Sequence, residues 1–277
     1  MRILFLGDIV GAPGLKAVQA LLPALAAAEA PDLVVANGEN AAGGLGITAE
    51  LVADFARAGV QVVTTGNHVW DKKEILGRMK DLPFLLRPAN YPPTVPGRGW
   101  CVADTPKGPV GVMNLSGRIF MDPLDCPFRG AEAVLEKLAP RARVILVDFH
   151  AEATSEKRAL GFFLDGRVTA VVGTHTHVPT ADAQVLPGGT GYMTDVGMTG
   201  AVDSVIGVPP ENALRRFLSQ IPASLGVAKG EGSLNGVVVD ADPSSGRCLA
   251  IRRVEARPAG APHRPQGHDP VERAAEN

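Results

Sequence analysis

Four of the six histidines in this chain lie just past short apolar runs. The runs end in Asp8, in Asn37-Gly38-Glu39-Asn40, in Asn67-His68, in His150 and in His175-Thr176-His177. Imidazole nitrogen, carboxylate oxygen and amide oxygen together suit borderline divalent metals such as manganese, iron and zinc. Thiolates are missing from the pattern, which argues against a closed structural zinc site. Two such ions about 3.5–4 Å apart can clamp the attacking and leaving oxygens of phosphoryl transfer and make a bound water acidic near neutral pH. Glu39 could bridge both ions, because a carboxylate offers two oxygens. Asn67 could add a neutral carbonyl oxygen. His68 is adjacent to Asn67 and so points elsewhere; it could face the substrate as a general acid, a role worth about 10²–10⁴-fold. Each residue also has a bland alternative. Asp8 could be a turn acid, Asn67 a turn residue with left-handed backbone, and the two histidines of 175–177 plain loop residues.

The elements that must carry these residues decide between the two. Residues 2–7, 33–36, 61–65, 144–149 and 170–172 read as short buried strands. Helices are expected over 15–28, over a segment capped by Thr48 with Glu50 in its first turn, and over 71–81, 131–138, Thr154–Phe163 and 211–220. Residues 11–14 and 118–130 read as loops. Residues 83–96, with five prolines, read as extended and irregular. Three hairpins are expected: 100–104 with 110–115, 184–186 with 192–194, and 233–239 with 248–254. This is an α/β chain. In open α/β sheets, ligands gather outside the carboxyl ends of the strands. Five strand ends carrying metal-type donors on one edge would converge on one pocket, and the agreement of five carries the inference.

With 277 residues, 45% hydrophobic and 20% charged, the chain can bury a substantial core. No repeat or linker is visible, so one domain is expected over residues 1–256. The Pro-, Ala- and charge-rich segment 257–277 is expected to be a disordered tail, in which His263 and His268 are incidental. No apolar run reaches the length of a membrane span, and the first residues do not read as a signal peptide. Cys101, Cys126 and Cys248 are scattered and read as free thiols in a reducing compartment, so the cytoplasm is expected. A net charge of −2 argues against long nucleic acid as the partner and is compatible with a small anionic substrate.

The chain resembles the calcineurin-like metallophosphoesterases, and more closely the bacterial YmdB-like phosphodiesterases. The likeness rests on Gly-Asp-Ile-Val-Gly-Ala-Pro-Gly (7–14), Asn-Gly-Glu-Asn-Ala-Ala (37–42), Gly-Asn-His-Val-Trp-Asp-Lys-Lys-Glu-Ile (66–75), Arg-Pro-Ala-Asn-Tyr-Pro (87–92), Asp-Phe-His-Ala-Glu-Ala-Thr-Ser-Glu-Lys (148–157), Gly-Thr-His-Thr-His (173–177) and Thr-Asp-Val-Gly-Met-Thr-Gly (194–200). It extends from Met1 to about Val254. The resemblance implies a four-layer α/β/β/α sandwich with a two-metal site. It implies that Asp8, Glu39, Asn40 and His177 hold one metal, and that Glu39 bridges to a second held with Asn67, His150 and His175. It implies His68 as proton donor to the leaving oxygen. Iron or manganese would be the favoured metals, with magnesium or zinc as alternatives. Small cyclic nucleotides, above all 2′,3′-cyclic monophosphates, would be the substrates, and a homo-oligomer the assembly. The chain departs from the wider superfamily at Asp8-Ile9-Val10, where Asp-x-His is usual, and at Glu39, where the bridging acid is usually Asp. Asn40 is the residue placed to fill the gap.

Two other readings stay open at this level. A phosphomonoesterase could use the same metals, with Arg118, Lys157 and Thr174 as candidate pocket residues. A regulatory protein could bind a nucleotide at the metals with little turnover.

Overall fold

The structure, a computed structural model, describes residues 1–222 and 224–258. The expected tail, with His263 and His268, lies outside the described residues from position 259 onward. Short, fully buried apolar runs give a mixed α/β fold with two six-stranded sheets. In the first, β1 (Arg2–Leu6), β2 (Leu33–Asn37) and β3 (Val62–Thr64) run parallel, with Ile3 opposite Leu33 and Val35 opposite Val62. β11 (Gly232–Ala241) pairs antiparallel with β1 and carries β12 (Cys248–Ala256) and the two-residue β10 (Gly200–Ala201). In the second sheet β5 (Val110–Ser116), β6 (Val144–His150) and β7 (Ala170–Thr174) are parallel neighbours. β4 (Trp100–Ala103) closes one edge; β9 (Gly191–Met193) and β8 (Gln184–Val185) close the other.

Strands buried on both faces need apolar partners on both sides. Ile3, Phe5 and Val35 of the first sheet share one core with Val112, Leu146 and Val172 of the second. The opposite face of the first sheet packs Leu4 and Leu6 against Val18 and Leu22 of α1 (Gly11–Glu29) and Phe55 of α2 (Ala49–Ala58). The opposite face of the second packs Met113 and Val147 against Leu135 of α4 (Pro127–Leu138) and Leu160 of α5 (Thr154–Phe163). Each such side chain, fully buried, contributes about 1.5–3 kcal/mol. α3 (Ile75–Arg78) and α6 (Pro210–Ser219) complete six α-helices among the described residues. None of them is long and apolar enough to cross a membrane.

Several expected boundaries move, for identifiable reasons. α1 begins at Gly11, not at 15, because the first turn of a helix leaves its N–H groups without intrahelical partners and so tolerates Pro13. α4 likewise starts on Pro127. Thr48 caps α2 as expected, its hydroxyl accepting from the Leu51 N–H at 3.3 Å. The helix expected over 71–81 shrinks to α3 and one 3₁₀ turn, Met79–Asp81. Its first residues are committed to tight turns around His68, with the Asp71 N–H bonded to the His68 carbonyl at 3.1 Å. β6 runs one residue further than expected, so His150 is the last residue of the strand.

Candidate metal centre

The carboxyl ends of β1, β2, β3, β6 and β7 meet at one place. Gly7 lets the chain turn out of β1, since a side chain there would lie 1.7 Å from the Gly197 carbonyl oxygen. Asp8 follows, wholly buried. Its Oδ2 accepts from the His175 N–H at 3.1 Å, while its Oδ1 has no hydrogen-bond partner and lies 3.6 Å from His150 Nδ1. A buried carboxylate oxygen left unpaired is costly unless a cation serves it.

His150 Nε2 is the focus of the cluster. Glu39 Oε1 lies 2.9 Å away, Asn67 Oδ1 3.0 Å and His175 Nδ1 3.0 Å. Glu39, His150 and His175 form the one group of three among the described residues whose donor atoms lie within 4.8 Å of one another. With the rings neutral these atoms are all lone-pair carriers, and the outer partners of each ring explain why. Thr174 Oγ1 donates to Asp148 Oδ1 at 2.7 Å, so it accepts from His150 Nδ1 at 2.9 Å. His175 Nε2 donates to Glu152 Oε2 at 3.0 Å. His177 Nδ1 donates to the Ile206 carbonyl at 2.9 Å, which leaves its Nε2 facing Asn40 Oδ1 at 3.3 Å. In all three histidines one nitrogen is anchored outward and the other turns its lone pair inward, the arrangement a metal requires. The residues present therefore fit a metal ion.

Charge points the same way. Burial raises the Glu39 carboxyl, but the charge and hydrogen bond of His150, helped by His68, hold it at about 2. Burial lowers His150, yet Glu39, Asp8 and Asp148 together push it up to about 9. Burial and the neighbouring His150 charge press His175 down to about 3. Burial raises Asp8 despite His177 and His150, and raises Asp148 to about 6 against the same kind of help. The carboxylates draw positive charge into a dry space, and a divalent ion meets that demand better than one shared proton.

His68 stands beside the cluster. Its backbone N–H donates to Glu39 Oε2 at 3.2 Å and its Nδ1 pairs with Asp71 Oδ2 at 2.9 Å. His68 lines a cleft of about 730 Å³. Glu39, Asn40, His68, His175 and His177 line that cleft together with the apolar Leu45, Ile206 and Val227. No Lys or Arg lines it among the described residues.

All eight residues singled out from the sequence are at this place. The three candidate pocket residues are not in the cleft. Thr174 is buried as the partner of His150. Lys157 is buried and paired with Asp195 Oδ2 at 2.7 Å. Arg118 is exposed and lines a different cleft. Sequence reasoning also missed the bracing residues. Asp148 Oδ2 accepts from Asn37 Nδ2 at 3.0 Å and from Thr64 Oγ1 at 2.5 Å, tying β2, β3, β6 and β7 together beneath the cluster. One faint signal was available: a polar Asp148 inside an apolar strand.

Gly66 is fixed by close approach. A Cβ there would lie 2.1 Å from His150 Cδ2 and 2.3 Å from Glu39 Oε2. Gly66→Ala is expected to weaken metal binding about 10–100-fold, the usual loss when the supports of a metal ligand shift. Metal titration followed by elemental analysis checks this, and wild-type affinity in the variant would refute it.

The fold recurs in a Staphylococcus aureus structure described as a candidate 5′-nucleotidase, with a TM-score of 0.55 at 14% identity, covering 92% of this chain and 54% of that one; this likeness is one of fold alone. Two sheets whose strand ends converge on a His, carboxylate and amide cluster make this a mixed α/β protein with a candidate metal centre. The chain belongs to the YmdB-like protein family, whose pattern matches residues 4–254. It is 46% identical over 254 residues to a 2′,3′-cyclic-nucleotide 2′-phosphodiesterase of Bacillus subtilis (strain 168), covering 92% of this chain and 96% of that protein. A crystal structure of a hypothetical protein from Thermus thermophilus superposes with a TM-score of 0.87 at 45% identity, covering 93% of this chain and 99% of that one.

Proposed function

We propose that the protein is a metal-dependent phosphodiesterase that hydrolyses 2′,3′-cyclic nucleotide monophosphates. The observation that carries this is the set of three histidines, each anchored outward so that its second nitrogen faces Glu39, Asn40 or Asn67. In this reading Asp8, Glu39, Asn40 and His177 would hold one ion, and Glu39, Asn67, His150 and His175 the other. The mixture of nitrogen and oxygen donors favours iron or manganese, with magnesium or zinc as alternatives. When bound, the ions supply an activated water and stabilise the charge developing on the phosphoryl oxygens. The four-layer α/β/β/α arrangement and a single domain over residues 1–256 belong to the same reading, supported by the three apolar cores. Three free, scattered thiols support a reducing compartment such as the cytoplasm. An exposed apolar stripe on α6, Leu214, Phe217 and Leu218, supports a homo-oligomer.

The chain's own residues do the rest. Asp71 holds the His68 ring by Nδ1, so that Nε2 can deliver a proton to the leaving 2′-oxygen as the phosphorus–oxygen bond breaks. The apolar wall of Leu45, Ile206 and Val227 takes the uncharged part of the nucleotide. A cleft without Lys or Arg suits the single charge of a diester better than the extra charge of a monoester, which disfavours the phosphomonoesterase reading.

The test is to strip the protein with chelator, restore Mn²⁺, Fe²⁺, Mg²⁺ or Zn²⁺, and follow 2′,3′-cyclic AMP and 3′,5′-cyclic AMP by product analysis. Metal-restored opening of the 2′,3′ ring at its 2′-ester is the expected result. Bound metal without turnover would move the assignment to nucleotide binding. His68→Ala is expected to lower kcat about 10²–10⁴-fold with metal content unchanged. A slow leaving group should suffer more than p-nitrophenol, which needs little protonation; equal losses on both would remove His68 from the acid role.

A further inference from the structure

A second cleft, of about 720 Å³, opens beside α4 and shares no residue with the metal centre. Arg87, Arg98, Arg118, Arg129 and Lys137 line it, with Asp125 as the one carboxylate among its described lining residues. None of the five cations makes an ion pair among the described residues. Arg87 is 6% exposed, and its guanidinium bonds only to main chain, Nε to the Pro96 carbonyl at 3.2 Å and Nη1 to the Pro88 carbonyl at 2.8 Å. A cation buried without a counter-charge is unfavourable unless an anion joins it. Arg129 and Lys137 lie eight residues apart on one face of α4, with Ala133 and Val134 between them on the same wall. Trp100 and Tyr91 add two flat ring systems to the lining. The concentration of positive charge stands out in a chain of net charge −2.

We propose that this cleft binds a nucleoside polyphosphate, its phosphates against the five cations and its base against the aromatic side chains. Guanidinium forks match phosphate oxygens in pairs, and aromatic faces accept any base. The cleft has the volume of a site for one small ligand and not of a groove for a long strand. It is also distinct from the metal centre: the connection between them is the segment Ser116-Gly117-Arg118, in which the Gly117 N–H bonds to the His150 carbonyl at 2.9 Å.

Calorimetric titration of the full-length, metal-loaded protein with ATP tests the assignment, beside Arg129→Glu/Lys137→Glu, two exposed positions outside the metal site. One ATP per chain is expected to bind, about tenfold or more weaker in the double variant. Hydrolysis of bis-p-nitrophenyl phosphate by that variant should stay at the wild-type rate, which also shows that it folds. Inorganic tripolyphosphate should bind more weakly than ATP, because it lacks the base. Absence of ATP binding at millimolar concentration, or binding that the double variant leaves unchanged, overturns the site. Tripolyphosphate binding as tightly as ATP overturns the nucleoside part. An oligoribonucleotide that displaces ATP with higher affinity reassigns the cleft to nucleic acid. Because binding is read directly, these outcomes do not depend on which ester the metal centre cuts.

Discussion

Glu39→Gln is expected to lower turnover by about 10³-fold or more, with a stable fold and less than the full complement of metal. The size follows from its position. Glu39 is almost wholly buried, its Oε1 is 2.9 Å from His150 Nε2 and its Oε2 accepts from the His68 N–H at 3.2 Å. It therefore faces both the histidine cluster and the His68 backbone. Of the buried acids near the centre, it is the one held low, at about 2, whereas Asp8 and Asp148 are pushed up. Glu39 is thus the acid whose charged form the cluster favours, the form a cation needs. The amide keeps the shape and one oxygen but removes the charge. Loss of several kcal/mol of charge stabilisation in the transition state corresponds to the stated factor. The measurement is kcat on 2′,3′-cyclic AMP together with metal content per chain. Wild-type turnover in Glu39→Gln would end the two-ion reading, since Glu39 is the carboxylate in direct contact with His150 Nε2. Lost turnover with full metal content would instead show that Glu39 acts on substrate and does not hold the ion.

The candidate ligands could be picked out of the sequence because each ends a strand or follows one within three residues, and a short apolar run bounded by a polar residue is among the clearest local signals. Burial on both faces of β1, β2, β6 and β7 explains why those runs lack alternation. α1 and α4 start inside the stretches expected as loops: Pro13 and Pro127 lie in first turns, where the missing N–H costs nothing. β10, with two residues, carries no periodicity at all. The supports of the site were hidden for a different reason. Thr64, Thr174 and Asn37 look like ordinary strand residues one by one. Their meaning lies in a shared partner, Asp148, up to 111 residues away in sequence. Lys157 reads as a candidate pocket residue until the fold sets it against Asp195, 38 residues on.

Lys157 carries the second large effect. Its ammonium is 1% exposed and 2.7 Å from Asp195, which is fully buried. Asp195 also accepts from the Thr176 N–H at 3.1 Å, from Thr176 Oγ1 at 2.7 Å and from the Gly197 N–H at 2.8 Å. Thr176 lies between two histidines whose backbones are left-handed, with φ of 96° at His175 and 66° at His177. Such backbones cost roughly 1–3 kcal/mol each and persist only where the surroundings hold them. The ion pair clamps the middle residue of that strained turn and so fixes both ring nitrogens. Lys157→Met leaves a buried carboxylate without its counter-charge, a change worth about 3–5 kcal/mol; the low end applies because Thr176 and Gly197 still donate. Urea unfolding should show that loss, and metal titration should show about 10–100-fold weaker binding, as for other supports of a ligand. Adding Asp195→Asn to Lys157→Met removes the stranded charge, so stability should recover in part. Metal affinity should stay low, because an amide grips Thr176 less firmly than a carboxylate does. If metal affinity recovers together with stability, the pair only holds the fold. If it does not, the buried ion pair sets the geometry of His175 and His177, and the strain in their turn is the reason it is buried there.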